Sequence, residues 1–329
     1  MADNEMVPVT ILTGFLGSGK TTLLNRILKE HHGQRIAVIE NEFGEAGVDN
    51  EILVQNREEQ IIEMNNGCIC CSVRGDLQRI LEELKVKRTD GTLNFERVII
   101  ETTGMADPGP VAQTFFLDEG IGNYYLLDSV ITLVDAKHAE KQLDDFKEAQ
   151  EQVGFADRIL MSKTDLVSEE DVNKLKARIV RMNPRAPIKH VHFGETPIKE
   201  ILDIRGFNLN AILDLDPTFL TDAEHEHDEH VSSFVFRSGR PFDGVKLEEF
   251  LSSIVQVYGN DLLRYKGVLS LKGNVNRVIF QGVHMLMGGD MGKPWGMDEK
   301  RETVMVFIGR DLPQDIIIQG LEQCLAKAQ

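Results

Sequence analysis

The amino-acid sequence predicts an α/β protein: a mostly parallel sheet with flanking helices, followed by a smaller α+β domain. Three observations lead there. Short apolar runs alternate with amphipathic stretches through the first two-thirds of the chain, the pattern of strands joined by crossover helices. A polar, strongly acidic run, Thr221-Asp222-Ala223-Glu224-His225-Glu226-His227-Asp228-Glu229-His230, then interrupts it. At 329 residues the chain also has the length of roughly two domains of ~150 residues.

In chain order, the apolar runs Val7–Thr13, Ile36–Ile39, Arg97–Glu101, Val130–Asp135, Arg158–Ser162 and Ile188–His192 are the expected strands. The amphipathic stretches Thr21–Lys29, Gly75–Lys85, Ala139–Val153 and Ser168–Met182 are the expected helices between them. The last opens with Ser168-x-x-Asp171, close to a capping box, and stops before Pro184. Past the acidic run, Ser233–Arg237, Gly267–Leu271, Arg277–Gln281 and Thr303–Ile308 read as strands, with Lys246–Val257 and Gln314–Lys327 as helices. The expected organisation is therefore a first domain over residues 1–215, an acidic linker over 216–230 and a second domain over 231–329.

Composition excludes several functions. With 36 basic and 53 acidic residues the net charge is −17, which repels phosphate backbones and anionic lipid, so no nucleic-acid or membrane partner is expected. No stretch approaches the ~20 apolar residues that span a bilayer. Met1-Ala2-Asp3-Asn4-Glu5 lacks a basic n-region, so no secretory signal is expected and the location is cytoplasmic. Three of the four cysteines crowd into Cys68-Ile69-Cys70-Cys71, which suits metal or redox chemistry in a reducing compartment.

Gly14-Phe15-Leu16-Gly17-Ser18-Gly19-Lys20-Thr21 fits the phosphate-binding pattern G-x-x-x-x-G-K-[ST], with a strand feeding in and a helix leading out. Glycines 14, 17 and 19 allow successive N–H groups to point into one concavity, and the helix N-terminus adds its positive dipole end. Gly14, Gly17, Ser18, Gly19, Lys20, Thr21 and Thr22 are the candidate nucleotide-binding residues. Lys20 is expected to neutralise the β- and γ-phosphates and Thr21 to ligate Mg²⁺. The first domain is thus expected to be a P-loop NTPase domain. Glu101, ending an apolar run, is the candidate carboxylate for the Mg²⁺ shell, and Gly104 lets the following loop approach the γ-phosphate. Lys20, Thr21 and Glu101 are the candidate catalytic residues, and no residue declares itself as the water-positioning group.

Base choice is assigned to Ser162-Lys163-Thr164-Asp165. Guanine offers two adjacent donors that one carboxylate accepts together, so Asp165 is expected to select GTP while the stem of Lys163 covers the base. The usual guanine motif begins with Asn, where this chain has Ser162.

Cys68, Cys70 and Cys71 follow a turn, Asn65-Asn66-Gly67, and three sulfurs this close converge on one soft or borderline ion. Zn²⁺ is the leading candidate, bound at ~2.3 Å with a fourth position open; Cu⁺ and Co²⁺ remain as alternatives. Glu40, Glu42 and Glu45 are candidates for the fourth ligand, and each is equally a candidate for the Mg²⁺ shell. His225, His227 and His230 form either a looser metal-capture site or part of a hydrated linker, whereas His190 and His192 are expected to be packed or solvated.

Together the phosphate loop, Glu40-Asn41-Glu42-Phe43-Gly44-Glu45, Cys68-x-Cys70-Cys71 and Ser162-Lys163-Thr164-Asp165 resemble the CobW-type metallochaperone GTPases, in particular their YjiA-like branch. Arg264-Tyr265-Lys266-Gly267, Phe280-Gln281-Gly282-Val283 and Val306-Phe307-Ile308-Gly309 resemble that family's C-terminal domain. The resemblance implies a slow, metal-stimulated GTPase that carries a transition metal, most often zinc, to a client protein. It also implies a C-terminal domain that meets clients or other copies, so a homodimer is a possible assembly. The extra lysine that some relatives carry at the second loop position is replaced here by Phe15. Two other readings stay open: a metal-regulated switch or store, and a P-loop kinase, for which no arginine-bearing lid segment is found.

Overall fold

The computed structural model describes residues 6–30, 33–40, 52–54, 73–197, 201–204, 230–296 and 299–327. Cys68, Cys70, Cys71, Glu42, Glu45, His225 and His227 lie outside them, and for Glu40 the backbone alone is described. The described residues form two compact units, one around each of two sheets.

The first unit is built from β1 (Val7–Gly14), α1 (Lys20–Lys29), β2 (Ile36–Glu40), β3 (Ile52–Val54), α2 (Val73–Thr89), β4 (Arg97–Glu101), α3 (Gly109–Leu117), α4 (Glu119–Gly122), β5 (Tyr125–Asp135), α5 (Ala139–Asp145), α6 (Lys147–Phe155), β6 (Arg158–Ser162), α7 (Glu169–Met182) and β7 (Ile188–Val191), except that the end of α7, from Ala177, belongs to the second unit. The strands lie in the order β3-β2-β4-β1-β5-β6-β7. Six are parallel, and β3 pairs antiparallel with β2 at the edge. The central strands are almost continuously apolar because helices cover the sheet. Leu12, Ile99, Ile131 and Leu160 pack against Leu23, Leu24 and Ile27 of α1 in one core.

Three departures from the sequence reading have physical causes. β5 begins at Tyr125 rather than Val130, although Asp128 and Ser129 are polar, because Arg97 supplies a buried cation for Asp128. The expected helix 139–153 breaks at Phe146, whose backbone is extended and whose ring packs 4.8 Å from that of Phe15. α3 and α4 were not expected, since α3 is mostly apolar and has no amphipathic stripe to announce it. α2 extends beyond 75–85 at both ends.

The second unit comprises β8 (Val231–Ser238), α8 (Gly244–Tyr258), β9 (Leu262–Leu269), β10 (Asn276–Val283), β11 (Leu286–Pro294), β12 (Thr303–Arg310) and α9 (Gln314–Gln323). Its antiparallel sheet has the order β11-β10-β9-β12-β8, and the two helices pack on a core of Phe236, Tyr265, Phe280, Met305 and Phe307. β11 escaped the sequence reading because Gly288, Gly289 and Gly292 dilute its strand signal. The strand expected at 267–271 lies earlier, at β9, and the last helix ends at Gln323 rather than Lys327.

The ring of Tyr265 lies directly over Gly282, its neighbour across the β9–β10 ladder, where an added Cβ would meet ring atoms at 2.0 Å. Its hydroxyl donates to the carbonyls of His284 and Leu286 at 3.1 and 2.6 Å. Gly282→Ala should therefore destabilise this unit by about 1–3 kcal/mol, the usual cost of overpacking a close-packed core. Chemical denaturation of the full chain checks it, and an unchanged midpoint would refute the packing argument.

Candidate functional site

The phosphate loop leaves β1 at Gly14, which has φ of 143°, and enters α1 at Lys20. A Cβ on Gly14 would stand 2.4 Å from the carbonyl oxygen of Leu133 on β5, so only glycine lets the loop turn this close to the sheet. Gly104 plays the same part from the other side, since a Cβ there would meet the backbone nitrogen of Leu16 at 2.7 Å. The loop after β4 therefore rests directly on the phosphate loop.

Lys20 is buried and its Nζ donates to the carbonyls of Gly14 and Phe15 at 2.8 and 3.3 Å. Burial pushes its ammonium below the ordinary lysine range, while the negative charge of Glu101 pulls the other way. Ser18 Oγ is buried beside Gly14 with no hydrogen-bond partner among the described residues, an orphaned donor within the loop. That orphan and the glycine cradle fit a bound phosphate.

The Thr21 hydroxyl donates to Glu101 Oε1 at 2.9 Å, across 80 residues of sequence. Glu101 ends β4 in register with Leu12 of β1 on one side and Glu40 of β2 on the other. A hydroxyl and a carboxylate brought together beside a phosphate loop form an all-oxygen donor set, which suits Mg²⁺. Glu40 thus ends its strand directly beside Glu101.

At the end of β6, Ser162 to Asp165 form the turn expected to meet the base. Ser162 Oγ donates to the Ser18 carbonyl at 2.7 Å, so the residue that departs from the usual Asn ties this turn to the phosphate loop. Lys163, with φ of 56°, reaches the Gly17 carbonyl with its Nζ at 2.8 Å. His190 and His192, expected to be packed or solvated, are both exposed, and His192 Nδ1 lies 3.6 Å from Asp165 Oδ1.

Two residues here were missed from sequence. Buried Asp135 accepts from Lys163 Nζ at 2.7 Å. Buried Gln152 on α6 donates from Nε2 to the carbonyls of Gly104 and Ala106, at 3.1 and 3.0 Å, and so holds the loop that follows Glu101. Asp135 looked like any strand end. Gln152 is one polar residue of an amphipathic stretch, and nothing local signals which face it takes. His230, the one described linker histidine, is exposed with Nδ1 3.4 Å from Asp311 Oδ1. No cluster of three metal-ligating side chains occurs among the described residues.

A parallel sheet with a glycine-rich loop between its central strand and α1, and a threonine–carboxylate pair at the strand ends, defines a P-loop nucleotide-binding protein. Residues 8–190 match the family model described as CobW/HypB/UreG, nucleotide-binding domain, and residues 231–325 match the cobalamin synthesis protein cobW C-terminal domain. The chain belongs to the CobW/HypB/UreG family and carries the CobW C-terminal domain. It is 46% identical to zinc chaperone YjiA of Escherichia coli, over 94% of this chain and 96% of that one. It is 35% identical to zinc chaperone CobW of Pseudomonas aeruginosa, over 97% and 92% of the two chains. The crystal structure of Zn(II)-bound YjiA GTPase from E. coli superposes with a TM-score of 0.80 at 40% identity, covering 98% of this chain and 99% of that one. No described helix is long and apolar enough to cross a membrane.

Proposed function

We propose that this chain is a GTPase that binds zinc at Cys68, Cys70 and Cys71 and transfers it to a client protein. The observation that carries the nucleotide half is the Thr21–Glu101 hydrogen bond beside the phosphate loop. In this reading Gly14, Gly17, Ser18, Gly19, Lys20, Thr21 and Thr22 hold the phosphates. Thr21 and Glu101 hold Mg²⁺, which when bound neutralises charge on the β- and γ-oxygens. Asp165 accepts from the two guanine donors and Lys163 covers the base. Residues 1–215 are the GTPase domain, 216–230 the linker and 231–329 the domain that meets the client or a second copy. Turnover without an external activator is expected on the order of 10⁻⁴–10⁻² s⁻¹.

The metal half is supported by three thiolates within four residues and by relatives named zinc chaperones. Zinc is the cargo, with Glu40 or Glu42 as the fourth ligand. The cysteines lie in sequence between β2, whose end stands beside Glu101, and α2. In this reading a change at the strand ends on hydrolysis reaches the metal ligands through the segment that joins β2 to α2, and coupling of this kind acts in both directions.

Competition with a chromogenic chelator, comparing the GDP form with one holding a non-hydrolysable GTP analogue, tests this. The expected result is a zinc affinity that differs by about 5–150-fold between the two forms. Cys70→Ala should weaken zinc binding about a hundred-fold or more, as losing one thiolate ligand implies, and should leave GDP affinity within two-fold or so. Equal zinc affinities in the two nucleotide states would favour a store over a carrier, and unaltered zinc binding in Cys70→Ala would refute the thiolate site.

A further inference from the structure

We propose that Asp135 is a positioning residue for guanine recognition, whose buried carboxylate holds Lys163 against the phosphate loop before nucleotide arrives. The inference rests on the reading of Lys163 and Asp165 as the pair that meets the base. Asp135 is the last residue of β5 and pairs in register with Ser162 on β6, so the two strand ends present it to Lys163. Its side chain is 1% exposed. Oδ2 accepts from Lys163 Nζ at 2.7 Å and faces His138 Nδ1 at 2.8 Å, while Oδ1 accepts from the Lys137 backbone N–H at 3.0 Å. Burial works against the charged carboxylate. The hydrogen bonds from Lys163, His138 and Lys137 outweigh it, so Asp135 is held below the usual carboxylate range.

The same ammonium that Asp135 grips also donates to the Gly17 carbonyl at 2.8 Å. Lys163 Nζ is therefore a bridge between the end of β5 and the phosphate loop. Its backbone is in the left-handed region, which a residue with a Cβ occupies when its surroundings impose it. A long, flexible side chain that would otherwise be ordered only on binding is thus already in place, and the entropy of ordering it is not charged against nucleotide affinity. His138 shares Oδ2 and keeps the carboxylate turned towards Lys163.

The test measures displacement of a fluorescent GDP derivative by GDP and by IDP, which lacks the 2-amino group, on the full chain. Asp135→Asn is expected to weaken GDP and IDP alike by on the order of ten-fold, the loss of one charge-assisted hydrogen bond. The GDP/IDP ratio should stay constant, because Lys163 covers the face of the base and not its donor edge. Lys163→Met should weaken both nucleotides to a similar degree, and Asp135→Asn should add no more than about two-fold to it, the non-additivity expected of contacting partners. Asp135→Ser, which removes the charge with a smaller side chain, is the second variant should the first not fold. Losses that add in the double variant, or full GDP affinity in Asp135→Asn with Lys163→Met impaired, would overturn the proposal. Should Lys163→Met leave GDP affinity intact and Asp165→Asn leave the GDP/IDP ratio intact, the base-recognition reading itself fails, an outcome distinct from failure of Asp135 alone.

Discussion

Replacing Lys20 by alanine is expected to lower GTP and GDP affinity by about a thousand-fold. Nζ lies within hydrogen-bond distance of two carbonyls of the phosphate loop, those of Gly14 and Phe15. A phosphate charge ~4 Å from an ammonium at an effective dielectric constant of ~20 is worth about 4 kcal/mol, and each ~1.4 kcal/mol is a factor of ten. The fold should not suffer in proportion. Burial already depresses the basicity of Lys20, so removing it relieves a desolvation cost along with two hydrogen bonds to carbonyls. Titration with a fluorescent GDP derivative, alongside a thermal melt of the free protein, checks both statements. Affinity within ten-fold of the parent would remove Lys20 from the phosphate site.

Replacing Arg97 by leucine should destabilise the nucleotide-binding unit by about 3–5 kcal/mol without touching any nucleotide contact. The Arg97 side chain is 2% exposed and opens β4, in the middle of the sheet. Nη1 meets Asp128, itself 4% exposed, at 3.2 Å and Thr10 Oγ1 at 3.3 Å, while Nη2 is paired with Asp203. Leucine would leave Asp128 buried without this cation, and removing one partner of a buried ion pair is what makes such losses large. The double replacement Arg97→Leu with Asp128→Leu should recover much of the loss, because a well-packed apolar pair substitutes for a buried ion pair at little net cost. Urea denaturation followed by far-UV circular dichroism measures both. A single variant as stable as the parent, or a double variant worse than the single, would refute the account.

Arg97 also shows where reading the sequence stops. It reads as the first residue of an expected strand with no sign of a partner, and the next expected strand starts at Val130, leaving Asp128 and Ser129 outside it. Each polar residue is unfavourable in a sheet interior alone, and the pairing that makes them acceptable joins positions 31 residues apart. No local pattern encodes such a partner. Gln152 and Gly104, 48 residues apart, and Asp135 and Lys163, 28 apart, are the same case: an ordinary polar side chain acquires its role from what the sheet order brings beside it.

What the sequence determined by itself is the chemistry that must be contiguous. A phosphate is cradled by successive backbone N–H groups, so Gly14 to Thr21 carry their function in eight adjacent residues. The three cysteines proposed to hold one ion crowd into Cys68-x-Cys70-Cys71, and the alternation of apolar runs and amphipathic helices announces a parallel sheet, for the same reason of local geometry. The tertiary structure alone decided that Ser162 and Lys163 grip the phosphate loop, that Gln152 holds the loop after Glu101, and that Arg97 pairs with Asp128 inside the sheet. Those pairings depend on which strands become neighbours. Strand order is set by the burial of whole faces, a property of the folded chain that no short stretch of residues contains.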